Sequence, residues 1–128
     1  MEIKLAIVGS RNFNHYDVLN RVVDEFLLNN DFQLISIISG GCRGTDLLAE
    51  QYSVKNLIDL ITFKPEWGKY GRKAGIIRNH DIIKSCDVCL AFWLKGSRGT
   101  EHDIRLCSQY KKPCWVFDIV EKRLYESH

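Results

Sequence analysis

Two near-identical turns carry the residue types that bind anions. The stretch Gly41-Cys42-Arg43-Gly44-Thr45-Asp46 (the second turn) is repeated as Gly96-Ser97-Arg98-Gly99-Thr100-Glu101 (the third turn), and Gly9-Ser10-Arg11 (the first turn) is a shorter version. Glycines let a ligand approach the backbone closely, and an arginine offers a planar fork of donors to a phosphate or carboxylate. If the three turns converge, they form one phosphate-binding pocket.

Each turn lies between an apolar run and a helical pattern. A helix start presents unpaired N–H groups and the positive end of the helix dipole, which also suits an anion. At the second turn, Thr45 or Asp46 is well placed to cap the helix that follows. The pattern therefore predicts three strand–turn–helix units with an anion site at each turn.

Apolar runs and helical spacings alternate along the whole chain. They predict strands over residues 3–8, 34–38, 57–63, 87–92 and 114–117, and helices over 16–29, 44–55, 72–85 and 99–110. Residues 66–73 are interpreted as a polar connection. The stretch 118–128 is left open between an edge strand, a short helix and a loose tail.

Strands separated by helices of this length indicate an α/β fold with right-handed crossovers. We predict a Rossmann-like three-layer sandwich with a five-stranded, mainly parallel sheet in the order 3-2-1-4-5, forming a single domain over residues 1–128. In this order strands two, one and four are neighbours, and their three turns meet at the carboxyl edge, where ligands of such sheets bind.

Composition narrows the class of function. The 128 residues are 45% hydrophobic and 27% charged, with a net charge of +2, as in an ordinary soluble domain. Because bulk nucleic-acid binding usually shows as a strong basic excess, DNA is not expected as a partner. No apolar stretch approaches the length of a membrane span and no leader pattern is seen, so a cytoplasmic location without membrane contact is expected.

The five cysteines form no framework spacing. Cys86 and Cys89 match C-x-x-C, but a zinc site would need a second pair or nearby histidines. We interpret the cysteines as buried free thiols that behave as small hydrophobic residues, and we predict no metal and no cofactor.

Other residues leave alternatives open. Arg78 and Asn79 lie three and four residues after Gly75, on one side of a helix, and either bind a ligand or belong to an ordinary helix contact. Trp67, in the loop before, either stacks on a base or covers the core. Glu101 and Asp103 are candidates for acid–base chemistry, but carboxylates in a first helical turn also simply match the helix dipole.

With these motifs in view, the chain resembles the SLOG superfamily, which groups the DNA-processing protein DprA with the Lonely Guy proteins. It is most similar to the YspA-like DUF2493 branch. The matching pieces are Gly9-Ser10-Arg11-x-Phe13, Ser39-Gly40-Gly41-x-Arg43-Gly44-x-Asp46, Trp67-x-x-Tyr70-Gly71, Ala74-Gly75-x-x-Arg78-Asn79 and Gly96-Ser97-Arg98-Gly99-Thr100.

The resemblance implies binding of a nucleotide or nucleotide derivative across the turns. From the turns and the resemblance together we expect ligand contacts from Gly9, Ser10, Arg11, Ser39, Gly40, Gly41, Arg43, Gly44, Asp46, Trp67, Arg78, Asn79, Gly96, Ser97, Arg98, Gly99 and Thr100. The hypothesis is a binder of an ADP-ribose-like or cyclic signalling nucleotide that sequesters or senses it in phage defence, and self-association is expected.

The alternative is a phosphoribohydrolase of the Lonely Guy type, which releases a base from a nucleoside monophosphate. By resemblance, Arg78 takes the place of an arginine of that enzyme, Asp103 stands where the catalytic glutamate lies, and Glu101 comes two residues earlier. The shorter acid and the changed turn favour binding over catalysis. A DprA-like binder of single-stranded DNA is a third class, with lower weight.

Overall fold

In the computed structural model, which describes residues 1–127, strands and helices alternate as the sequence predicts. The strands are β1 (Glu2–Gly9), β2 (Gln33–Ser39), β3 (Asp59–Thr62), β4 (Val88–Trp93), β5 (Cys114–Asp118) and β6 (Arg123–Ser127). The helices are α1 (Tyr16–Asn29), α2 (Thr45–Lys55), α3 (Trp67–Tyr70), α4 (Ala74–Ser85) and α5 (Arg98–Gln109). A 3₁₀ turn, Gly71–Lys73, joins α3 to α4.

The strands form one sheet in the order β3-β2-β1-β4-β5-β6. Strands β1 to β5 pair in parallel, which confirms the predicted α/β class and the order 3-2-1-4-5. The predicted count of five strands is wrong, because β6 adds an antiparallel strand to β5. The Asp118 carboxylate accepts the N–H groups of Val120 and Glu121, and this turn reverses the chain after β5.

The sheet divides two apolar layers. One cluster includes Phe26 of α1 and Leu48 of α2 on one face, and the other includes Ile82 of α4 and Leu106 of α5 on the opposite face. The central strands β1 and β4 are almost fully buried, as parallel strands covered on both faces should be. Helices on both faces therefore make the expected three layers.

Two local predictions are wrong. The connection 66–73 contains the short helix α3 and the 3₁₀ turn, which are too brief to produce a helical period in the sequence. At α2 the N-cap is Gly44, and no side chain caps the helix. The Thr45 hydroxyl and N–H instead both donate to the Ser10 carbonyl, at 2.9 and 3.1 Å, and so join the second turn to the first.

None of the helices in residues 1–127 is long and apolar enough to cross a lipid bilayer.

Candidate functional site

The three turns meet at the carboxyl edge of the sheet, around one cleft of about 660 Å³. The first turn follows β1, the second follows β2 and the third follows β4, which are neighbouring strands. The predicted site residues that line the cleft are Gly9, Ser10, Arg11, Arg43, Asp46, Arg78, Asn79, Gly96, Ser97, Arg98, Gly99, Thr100 and Asp103. The volume lies within the range of small-molecule sites.

The turn glycines divide into two groups. A Cβ on Gly9 would lie 2.5 Å from the Phe92 carbonyl oxygen, and one on Gly44 would lie 2.5 Å from the backbone of Arg11. These two glycines are required because the end of β1 packs against β4 and the second turn packs against the first. Around Gly96 and Gly99, in contrast, a Cβ would meet no other part of the described chain within 4 Å, so a ligand has room to approach this part of the turn.

Arg78 is a buried cation at the floor of the cleft, with 9% of its surface exposed. Its Nη1 donates to the Gly40 carbonyl oxygen, and its Nε donates to Asn79 Oδ1 at 2.9 Å. Asn79 Nδ2 in turn lies 3.1 Å from His102 Nδ1 on α5. These contacts hold the guanidinium in one position.

Asp103 lines the cleft, is 6% exposed, and its Oδ1 has no hydrogen-bond partner among the described residues. Burial raises the pKa of this carboxyl well above its ordinary value, the Asp46 charge raises it further, and the Arg78 charge opposes the shift. Burial also raises the pKa of Asp46, whose Oδ2 accepts the Cys42 N–H at 3.1 Å. Asp103 therefore holds its proton at a pH where an exposed aspartate has lost it.

Positive charge is concentrated at this cleft. Seven cationic side chains line it, against the two carboxyls of Asp46 and Asp103: Arg11, Arg43, Arg72, Arg78, Lys95, Arg98 and Arg105. All except Arg78 are exposed, so their charges face the solvent-filled space. The local excess is far larger than the net charge of +2 for the whole chain.

Six predicted residues lie outside the cleft lining: Ser39, Gly40, Gly41, Gly44, Trp67 and Glu101. Gly40 lies behind the Arg78 guanidinium, and Gly41 faces the side chains of Thr62 and Lys64 at the end of β3. Trp67 is 54% exposed, and its ring would lie 3.6 Å from a Cβ on Gly75.

Glu101 holds the third turn together from outside the cleft. Its Oε2 accepts the Trp93 indole Nε1–H at 2.9 Å and the Gly96 N–H at 3.3 Å. The Ser97 and Thr100 hydroxyls, 2.9 Å apart, add a second internal contact. Glu101 therefore stabilises the shape of the third turn. Of the two candidate acids, Glu101 and Asp103, only Asp103 lines the cleft.

Sequence reasoning missed several lining residues. Arg72, His102 and Arg105 line the cleft, and His102 and Arg105 follow Arg98 on α5 by four and seven residues. That spacing marks one helix face and would have identified them. Burial, Arg105 and His80 lower the pKa of His102, which favours its neutral ring beside Asn79.

Comparison with known proteins decides the family. Residues 3–70 match YAcAr, the YspA, cpYpsA-related SLOG family. The chain belongs to this family. The Gene 61 protein of Mycobacterium phage D29, similar over a longer stretch, is 31% identical over 108 residues, which are 80% of this chain and 86% of that protein. The YAcAr match ends at residue 70, before α4 and the third turn.

Two solved structures share the fold of this YAcAr chain. DNA processing protein A (DprA) from Helicobacter pylori has a TM-score of 0.68 at 22% identity, over 98% of this chain and 68% of that one. DprA from Streptococcus pneumoniae has a TM-score of 0.69 at 17% identity, over 88% of this chain and 49% of that one. These likenesses establish a SLOG-type Rossmann-like fold.

The expectation that DNA is not a partner is wrong. The H. pylori protein of the same fold has a described single-stranded DNA binding mode. The expectation rested on the net charge of +2, which averages over the whole chain and hides the seven cations of the cleft. Local charge, rather than total charge, is the quantity that an anionic partner meets.

Proposed function

We propose that this YAcAr chain binds a nucleotide or nucleotide-derived molecule in the cleft formed by its three turns. The observation that carries the proposal is the surplus of seven cations over two carboxyls around one cleft at the carboxyl edge of the sheet. Burial raises the pKa of one of those carboxyls, Asp103, which favours its neutral form and so increases the surplus.

The third turn is the proposed phosphate site. The positions beside Gly96 and Gly99 are open, and the turn leads directly into α5, a twelve-residue helix whose first residues, Arg98, Gly99 and Thr100, line the cleft. Arg98 in this turn and Arg11 in the first turn would provide the charged donors. The buried polar groups Asn79 and Asp103 would contact the less charged part of the ligand, its ribose or base.

Seven cations are more than a nucleoside monophosphate needs. The number favours a ligand with at least two phosphates, and we propose an ADP-ribose-like or cyclic signalling nucleotide. We further propose that the protein sequesters or senses such a nucleotide during phage defence; a relative of this chain is encoded by a mycobacterial phage. A cytoplasmic location and self-association belong to the same proposal.

One observation favours hydrolysis as a second function of the same cleft. Asp103 is buried beside the charge of Arg78, its Oδ1 has no hydrogen-bond partner among the described residues, and its raised pKa favours the protonated form that a general acid needs. In this alternative Arg78 holds the ribose or phosphate, and Asp103 donates its proton to the departing base as the C1′–N bond breaks. Water then adds to C1′ and gives up a proton to the Asp103 carboxylate.

The DprA fold supports a third candidate for the cleft, a stretch of single-stranded DNA. The seven cations would then contact successive phosphates, and the affinity would fall steeply with salt.

The test is incubation of the protein with a panel of nucleotides, dinucleotide derivatives, cyclic nucleotides and a short single-stranded oligonucleotide. Mass spectrometry then identifies the protein-bound and free pools. Recovery of an intact nucleotide, lost in an Arg43→Ala/Arg98→Ala variant, is the expected result. Free base and ribose phosphate that accumulate with wild type but not with Asp103→Asn would establish hydrolysis, and recovery of the oligonucleotide alone would establish DNA binding. If nothing is retained or consumed, the proposal is wrong.

A further inference from the structure

Three cysteines converge in the apolar layer between the sheet and α5. Cys89 lies in β4, Cys107 in α5 and Cys114 in β5, and their Sγ atoms all lie within 4.8 Å of one another. Cys89 and Cys114 are register partners on the adjacent parallel strands β4 and β5, so they point to the same face of the sheet. We call these residues the three-cysteine cluster.

The cluster is separate from the nucleotide cleft. None of its members lines the cleft, and their exposed fractions are 0%, 1% and 3%. All three are free thiols. One buried thiol is an ordinary small hydrophobic residue, but three on different elements that share a centre offer a set of soft ligands.

We propose that the three-cysteine cluster binds one thiophilic d¹⁰ metal ion, Cu(I) or Zn(II). Metal–sulfur bonds of about 2.3 Å place the sulfurs of a shared ion about 4 Å apart, so only small side-chain rotations are needed from the observed separations. Each thiol that becomes a ligand releases one proton to solvent as its metal–sulfur bond forms, and no redox partner is required.

Two neighbours fit a bound ion. Lys112 donates from Nζ to the Cys86 carbonyl oxygen at 2.7 Å and so places a positive charge next to these cysteines. A cation there offsets part of the negative charge of three thiolates around one ion. Cys86 is itself 1% exposed, and its Sγ now donates to the Ile83 carbonyl oxygen at 3.3 Å.

The two ions differ in whether they need Cys86 as a ligand. Zn(II) in structural sites takes four ligands, so zinc would need the Cys86 thiolate to turn from Ile83 to the metal. Three thiolates are enough for Cu(I). Either ion would clamp α5 to β4 and β5, and α5 carries Arg98 and Asp103 of the cleft.

The test is titration of reduced, chelator-treated protein with Zn²⁺, and separately with Cu⁺ under anaerobic conditions, against a competing chromophoric chelator. Native mass spectrometry should show one ion per chain. Cys107→Ala and Cys114→Ala should weaken binding at least about tenfold. Cys42→Ala, which removes the thiol outside this region, is the matched control and should bind as wild type does. Cys86→Ala should weaken Zn²⁺ and leave Cu⁺ unchanged.

If a cysteine variant folds poorly, the midpoint of urea unfolding of the proteins that do fold provides a second measurement of metal binding. One equivalent of the bound ion should raise the midpoint of wild type and of Cys42→Ala, because the ion binds the folded site. The proposal is overturned if neither Zn²⁺ nor Cu⁺ binds the wild-type protein at one ion per chain. It is also overturned if Cys42→Ala is the only variant that loses ion binding. None of these results depends on nucleotide binding.

Discussion

At the scale of single residues, glycines with the same place in the repeated turns have different roles. Gly44 has a φ of 74° and no room for a Cβ beside the Arg11 backbone, whereas Gly99 faces open space at the start of α5. The first is needed for the contact between turns, and the second for ligand access.

Replacement of each by alanine tests this division. Gly44→Ala should lower the free energy of unfolding by at least about 1–3 kcal/mol, because the backbone is strained and the methyl group meets a main chain. Gly99→Ala should change it by less than about 1 kcal/mol, since alanine suits a helix, but should weaken nucleotide binding. Urea unfolding and a binding titration measure both. Equal destabilisation by the two variants would contradict the division.

Asp103 gives a prediction on pH. Its pKa is raised in the folded protein, so between its ordinary value and the raised value the folded chain binds more protons than the unfolded chain. The contribution of Asp103 to the free energy of unfolding is therefore fully present below its ordinary pKa. It is lost as the pH rises through the higher pKa that Asp103 has in the folded protein. The variant Asp103→Asn keeps the shape of this side chain but removes the group that titrates.

We therefore expect Asp103→Asn to match wild type near pH 4 and to become progressively more stable than wild type as the pH rises toward 8. Thermal unfolding across this range is the measurement. Asp46 is present in both proteins and largely cancels in the difference. Parallel pH profiles for the two proteins would show that Asp103 titrates as an exposed aspartate does.

At the scale of elements, the strand–turn–helix units depend on contacts between turns. The Thr45 hydroxyl donates to the Ser10 carbonyl and so joins the start of α2 to the end of β1. Thr45→Val should cost about 0.5–1.5 kcal/mol, the usual worth of one hydrogen bond. Thr45→Ser, which keeps the hydroxyl, is the control and should cost less. If valine is tolerated better than serine, this contact does not stabilise the junction.

Glu101 has a similar role in the third turn. Because its Oε2 accepts from Trp93 and Gly96, Glu101→Ala should loosen residues 96–100, weaken nucleotide binding severalfold and change the Trp93 fluorescence. Glu101→Gln keeps an oxygen acceptor and should have a smaller effect. A loss of turnover in both variants with unchanged binding would instead assign Glu101 to chemistry.

Sequence patterns predicted the elements to different degrees. The apolar runs and the 3.6-residue spacing located the five strands β1 to β5 and the four long helices, because burial imposes those patterns directly. The helix α3 is one turn long and leaves no period. The strand β6 is exposed on much of its length, so its pattern could not be separated from a polar tail.

At the scale of the whole molecule, the sequence predicted that the three turns converge. It did not predict which residues from the helices complete the cleft. The strand order follows from the alternation of elements, and it brings β2, β1 and β4 together. The inclusion of Arg72 and Arg105 in the cleft, and the burial of Asp103, depend on how α4 and α5 pack. The net charge led to the wrong exclusion of DNA because it carries no information on position.

The central claim is that nucleotide binding uses the cations of the cleft. The most direct test compares dissociation constants for the nucleotide panel between wild type, Arg11→Ala/Arg98→Ala and Arg21→Ala/Arg123→Ala. Both variants lose two exposed arginines, but only the first pair lines the cleft. The account predicts at least about a hundredfold weaker binding for the cleft variant, from two charge-assisted contacts, and near wild-type binding for the control. Equal losses in the two variants, or no binding by wild type, would contradict it.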